Sequence, residues 1–138
     1  VNGHSYSDPK LQSHNTNFAL LVSNRFTEPF HEPYKYGKRI ASFSNMLGGG
    51  IIVQRYGDLF KGRRTDAKRL SKSFTRPTLA ATPGDLSLVL PKRHLDNIME
   101  MIEALNHIAP GMTNDDTLLA PGAHEGAGDA AEECVRGR

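Results

Sequence analysis

Apolar and polar positions divide the chain into a few short elements separated by Gly- and Pro-rich breaks. Residues 1–17 are polar, contain Pro9 and keep no period, which predicts loop. Phe18 to Ser23 is a continuous apolar run with no room for a helix between its polar flanks, so it predicts a strand buried on both faces. Pro29 and Pro33 bias the residues before them toward extended geometry and end that strand. From Tyr34 to Leu47, the positions Tyr36, Ile40, Phe43 and Leu47 recur at helical spacing and define one face. Gly48-Gly49-Gly50 then stops the helix, because glycine takes the left-handed cap conformation without a Cβ penalty.

Ile51 to Val53 predicts a short strand and Gln54 to Asp58 a turn, and Thr65 with Asp66 can cap a short helix toward Lys72. Leu86, Leu88 and Leu90 alternate with Ser87 and Val89, the period of a half-buried strand. Pro91 opens the strongest helix: Leu95, Ile98, Ile102 and Leu105 form its stripe, Met99 and Ile108 widen it, and Ala109-Pro110-Gly111 ends it. Asp115 to Leu119 begins another strand, cut short by Ala120-Pro121-Gly122, and the remainder holds too few large apolar residues to join a core. No internal repeat is present. The expected fold is α+β. Its mixed sheet uses Phe18 to Ser23, Ile51 to Val53 and Leu86 to Leu90, packs against helices 34–47 and 92–108, and is flanked by an irregular N-terminal loop and a disordered or divergent tail.

Composition narrows the class. A chain of 138 residues is one domain's worth, and no stretch approaches the roughly 18 to 20 apolar residues that span a bilayer. One cysteine makes no internal disulfide, so a cytoplasmic chain without a membrane partner is expected. It opens on Val1 with no signal-peptide pattern, which suggests an origin inside a longer reading frame. The net charge of +2 hides segregation. From Lys35 to Arg76 there are 11 Lys/Arg against two acids, whereas six acids stand against two arginines after Asn114.

Candidate chemistry is sparse. Gly48-Gly49-Gly50 closes a helix and leads into a strand, the reverse of a phosphate-binding loop, so a helix stop is the favoured reading. The basic run from Lys61 to Lys72 lacks interleaved aromatics, which leaves a solvated face ahead of nucleic-acid binding; contact with a partner's acids or a cofactor's pyrophosphate is a further alternative. Six histidines without a close pair, and Cys134 alone in a polar tail, predict no metal site and no activated thiol. His14 to Asn17 leads into the first strand, where its amides satisfy a turn or meet a ligand. Arg55 with Asp58, and Arg76 before Pro77, are similarly ambiguous, a structural ion pair and a loop cation on one reading and ligand contacts on the other.

Several motifs in order carry a resemblance. Asn2-Gly3-His4-Ser5-Tyr6-Ser7, Asn15-Thr16-Asn17-Phe18-Ala19-Leu20-Leu21-Val22 and Leu47-Gly48-Gly49-Gly50 come first. Val53-Gln54-Arg55-Tyr56-Gly57-Asp58, Arg76-Pro77-Thr78-Leu79, Ala81-Thr82-Pro83-Gly84-Asp85-Leu86-Ser87 and Asp116-Thr117-Leu118-Leu119 follow. Together they resemble the large bacterial NAD(P)/FAD-dependent oxidoreductases of the FAD-dependent dehydrogenase type, nearly without gaps from Val1 to about Leu119. The resemblance implies that residues 1–119 are the non-Rossmann domain inserted into the FAD-binding fold, covering the flavin and shaping the substrate pocket. FAD would then belong to the parent protein and not to this chain alone. Its partners would be the parent's FAD-binding domain and a small-molecule substrate or NAD(P)H.

On that resemblance, Asn2, Ser5, Asn15 and Asn17, then Arg55 and Arg76, are the residues placed to approach flavin or substrate. No catalytic residue is assigned. The Gly-rich strand-turn-helix that grips a dinucleotide is absent from the sequence. In residues 120–138, Glu125, Gly126 and Gly128 resemble a displaced remnant of the family's acidic glycine turn, with His124 in place of a glycine; a frame change or internal deletion accounts for it better than working FAD binding, and chance is the remaining reading. Two other functions stay open: a stand-alone interaction domain without catalysis, and a basic nucleic-acid-binding module.

Overall fold

A computed structural model describes residues 10, 15–29, 31–78 and 80–121, together with the backbone of 133–137. The elements run β1 (Phe18–Val22), α1 (Pro33–Gly48), β2 (Ile52–Arg55), α2 (Tyr56–Phe60), α3 (Ala67–Lys72), β3 (Thr82–Pro83), a 3-10 turn (Leu86–Leu88), α4 (Lys92–Ile108), β4 (Leu118–Leu119) and β5 (Glu133–Gly137). The class is α+β, as the periodicity predicts. β2 is the centre of a mixed three-stranded sheet: β3 lies parallel to it with Ile52 opposite Thr82, and β4 antiparallel with Gln54 opposite Leu119. β1 and β5 form a separate antiparallel pair, Phe18 opposite Gly137 through Val22 opposite Glu133.

The two long helices follow from their sequences. In α4, His94, Leu95, Ile98 and Ile102 recur at spacings of one, three and four, and all four are buried. Each fully buried Ile contributes about 1.5–3 kcal/mol relative to exposure. Ile108 is 83% exposed, so the stripe ends a turn earlier than its sequence pattern. In α1 only Ile40 and Ser44 are buried, while Phe43 and Leu47 of the expected stripe stand half exposed. Pro33 opens α1, and Gly49 closes it in the left-handed conformation at φ 62°, its N–H bonded to the Asn45 carbonyl at 2.8 Å. Ile40, Ile52, Leu86, Ile98, Ile102 and Leu119 lie in one core cluster, which joins the sheet to both helices.

Several sequence expectations are corrected. Leu86 to Leu90 is not a strand. The Asp85 carboxylate accepts from the Ser87 N–H at 2.9 Å and hydroxyl at 2.7 Å, which starts a helical turn, and the Leu90 N–H reaches the Leu86 carbonyl at 2.8 Å. Leu86, Val89 and Leu90 therefore point inward, and Leu88 is turned out. β1 forms where expected but outside the mixed sheet and buried on one face only: Leu20 is buried and Leu21 is 64% exposed. Its partner β5 comes from the tail, whose sequence holds too few large apolar residues to join the core, and the two strands pair through their backbones. Gln54 and Arg55 extend β2, and Tyr56 to Asp58 start α2 rather than a turn.

Candidate functional site

Chemistry concentrates where β2 runs into α2. The backbone passes from extended at Arg55 directly into helix at Tyr56, and this corner is tied to the segment before β4 by Tyr56 N–H to the Thr117 carbonyl (2.7 Å) and Gly57 N–H to the Asp115 carbonyl (3.2 Å). The approach is so close that a Cβ on Gly57 would strike the Asp115 side chain. Within the corner Asp58 is fully buried. Its carboxylate accepts from Arg63 Nε at 2.7 Å, Thr65 Oγ1 at 2.9 Å and Arg55 Nη1 at 3.3 Å. Thr65 Oγ1 also accepts the Arg55 N–H at 2.9 Å, so the hydroxyl locks β2 to the following loop. Asp66 alone caps α3, its carboxylate accepting the Arg69 N–H at 2.7 Å.

A second carboxylate completes the cluster. Asp116 Oδ1 accepts from Arg55 Nη2 at 2.5 Å and Nε at 3.1 Å, and Asp116 Oδ2 accepts the Phe74 N–H at 2.8 Å. Burial pushes both carboxyls up, yet hydrogen bonds and cations outweigh it. Asp58 is held below its ordinary value of 3.8 by Arg63, Thr65 and the charge of Arg55. Asp116 is held below its own by the Phe74 N–H and Arg55. Burial lowers Arg55, but Asp116 and Asp58 more than compensate and its guanidinium stays charged.

Gln54, wholly buried, bridges the cluster to the core: Nε2 donates to the Arg63 carbonyl at 2.9 Å, and Oε1 accepts the Leu86 N–H at 2.8 Å. Segments distant in sequence therefore meet around one strand end.

The residues singled out from the sequence fall in three groups. Asn15 and Arg76 come together, Asn15 Nδ2 donating to the Arg76 carbonyl at 2.8 Å, and Arg76 Nη2 donates to the Ser71 carbonyl at 2.9 Å. Arg55 is joined to this stretch through Asp116 and the Phe74 N–H, but its guanidinium is engaged by two carboxylates and is 14% exposed. Asn17 is exposed just before β1, apart from these bonds. Asn2, Ser5, Glu125, Gly126 and Gly128 lie outside the described residues. The sequence reading singles out none of Thr65, Arg63 and Asp116 as a site residue: Thr65 enters as a helix cap, Arg63 within the basic run and Asp116 within a resemblance motif. Phe74, 93% exposed, follows the basic run, which itself holds no aromatic.

Among the described residues, no group of three or more His, Cys, Asp or Glu is placed to hold a metal ion, and no helix is long and apolar enough to cross a membrane. Gly48 to Gly50 lie between α1 and β2, the reverse of the strand-glycine-helix order of a dinucleotide-binding turn. The fold and site define a small α+β domain with a buried arginine–carboxylate node at its strand end. Compared with protein families, curated proteins and solved structures, the chain finds a match in none of the three.

Proposed function

We propose that the chain forms the pocket-shaping domain of a flavin-dependent oxidoreductase, of the FAD-dependent dehydrogenase type its motifs resemble. One observation carries this. Asn15, Arg55, Arg76 and Asp116 come from four separate motif segments, and hydrogen bonds join them in two pairs, Asn15 with the Arg76 carbonyl and Arg55 with Asp116, which also holds the Phe74 N–H two residues before Arg76. These motif segments meet through polar groups, with Arg55 and Asp116 14% and 24% exposed, Asn15 partly accessible and Arg76 exposed. Redox chemistry would be supplied by a flavin held in a partner domain. The part of this chain is to wall the pocket, fix polar groups and exclude water, with a small molecule or NAD(P)H as the other reactant.

A second reading, an interaction domain without catalysis, draws on Phe43, Met46 and Leu47, which stand exposed along α1. Following the reading frame outward from the Val1 codon and expressing the whole product separates the two. The flavin reading expects a Gly-x-Gly-x-x-Gly strand-turn-helix in that frame and a yellow protein whose visible absorbance dithionite bleaches. A whole product without that unit, or a colourless one, refutes it.

A further inference from the structure

Ion pairing leaves a distinct remainder on the surface around α3. Arg55 and Arg63 are engaged by Asp58 and Asp116, Lys61 by Asp115 at 2.6 Å, and Arg69 by Asp66 at 2.9 Å. Arg64, Lys68 and Lys72 have no carboxylate partner among the described residues, and all three are exposed. Lys68 and Lys72 are four apart on α3 and share one face. Immediately after α3 comes Phe74 at 93% exposure, and then Arg76, whose guanidinium folds back onto the Ser71 carbonyl.

Phe74 differs from an ordinary stray surface apolar residue. Its backbone N–H is held by Asp116, which Arg55 fixes in turn, so the ring is presented from an anchored point. Cations with no carboxylate partner among the described residues, close in sequence to an exposed aromatic ring, suit a phosphorylated heterocycle, whose phosphates meet ammonium and guanidinium groups while its base stacks on the ring. The extent of the surface selects the ligand. A six-residue helix is about 9 Å long, enough to face two adjoining phosphates, and one ring stacks one base. A nucleic-acid strand asks for cations and rings repeated along a track.

We propose that this surface binds a nucleoside diphosphate, with Lys68, Lys72 and Arg64 on the phosphates and Phe74 against the base. The inference goes beyond the flavin reading and does not depend on it, since it concerns only exposed groups of this chain.

Calorimetric titration of the purified chain with ADP, pyrophosphate and adenosine, at low and high salt, tests it. ADP is expected to bind at low salt and to weaken steeply as salt rises. Phe74→Ala should weaken ADP about tenfold, the scale of one base stack, and leave pyrophosphate unchanged. Lys68→Ala with Lys72→Ala should weaken both severalfold, and adenosine alone should bind negligibly. The three side chains are exposed and outside the core, so far-UV circular dichroism of the variants should match the parent chain.

Absence of ADP binding at low salt overturns the proposal, as does a Phe74→Ala effect equal for ADP and pyrophosphate. A single-stranded oligonucleotide binding more tightly with each added nucleotide would overturn it too, in favour of a nucleic-acid track. A colourless whole-frame product would sink the flavin reading and leave these titrations untouched.

Discussion

Asp58→Asn probes the buried node most directly. Asn keeps the volume of the side chain and one acceptor oxygen but loses the charge, and its amide turns an N–H toward a cation. Asp58 accepts from Arg63, Thr65 and Arg55 with no access to water. Breaking a buried ion pair on one side costs about 3–5 kcal/mol. Two features reduce that here: Arg55 keeps Asp116 as a partner, and Arg63, with 47% of its side chain exposed, can return to solvent. The expected loss is about 3 kcal/mol. With an unfolding entropy near 2.1 cal/mol/K per residue over 138 residues, that lowers the melting temperature by about 10 °C. Thermal melts and urea midpoints at neutral pH measure it, with Lys92→Ala as the control. That control cuts a pair whose side chains are 86% and 56% exposed, and should stay within about 0.5 kcal/mol. An Asp58→Asn melt within about 2 °C of the parent chain would refute the assignment of stability to this node.

Two further expectations follow from the same corner. Asp58 and Asp116 are both depressed in the folded chain, so the unfolded chain takes up their protons first; the stability they give is complete above their ordinary value of 3.8 and is lost as pH falls from there toward their lower folded values. Urea midpoints should therefore fall on the acid side of that value, and the fall should be shallower in Asp58→Asn; equal slopes for the two proteins would contradict the linkage. Gly57→Ala places a methyl against Asp115 and should cost about 1–3 kcal/mol in urea unfolding, because the corner must open to admit it. A neutral result would mean that the Asp115 segment yields freely.

The node also explains how a chain with a surplus of cations keeps a compact strand end. Asp58 and Asp116 hold the Arg55 guanidinium, which is 14% exposed, and Asp58 also pairs with Arg63. The exposed remainder around α3 and Phe74 is available to a ligand because the inner cations are already matched.

By itself the sequence determined the α+β class, both long helices and the core strand β2. Those rest on local signals: a 3.6-residue period, a proline at a helix start and glycine at a helix end act on neighbours in the chain, and α4 begins and ends where Pro91 and Ala109 place it. At Leu86 to Leu90 the sequence's alternation predicts a strand where the structure has a helical turn. Alternation and an i, i+3, i+4 pattern share too many positions over five residues, and the Asp85 carboxylate settled the matter. Only the tertiary structure paired β1 with β5 and brought Asn15 to Arg76 and Arg55 to Asp116, each across 61 residues. Such pairings depend on which surfaces meet after the chain has packed. The local sequence around Arg55 showed one acid within reach, Asp58, and the fold supplied the second.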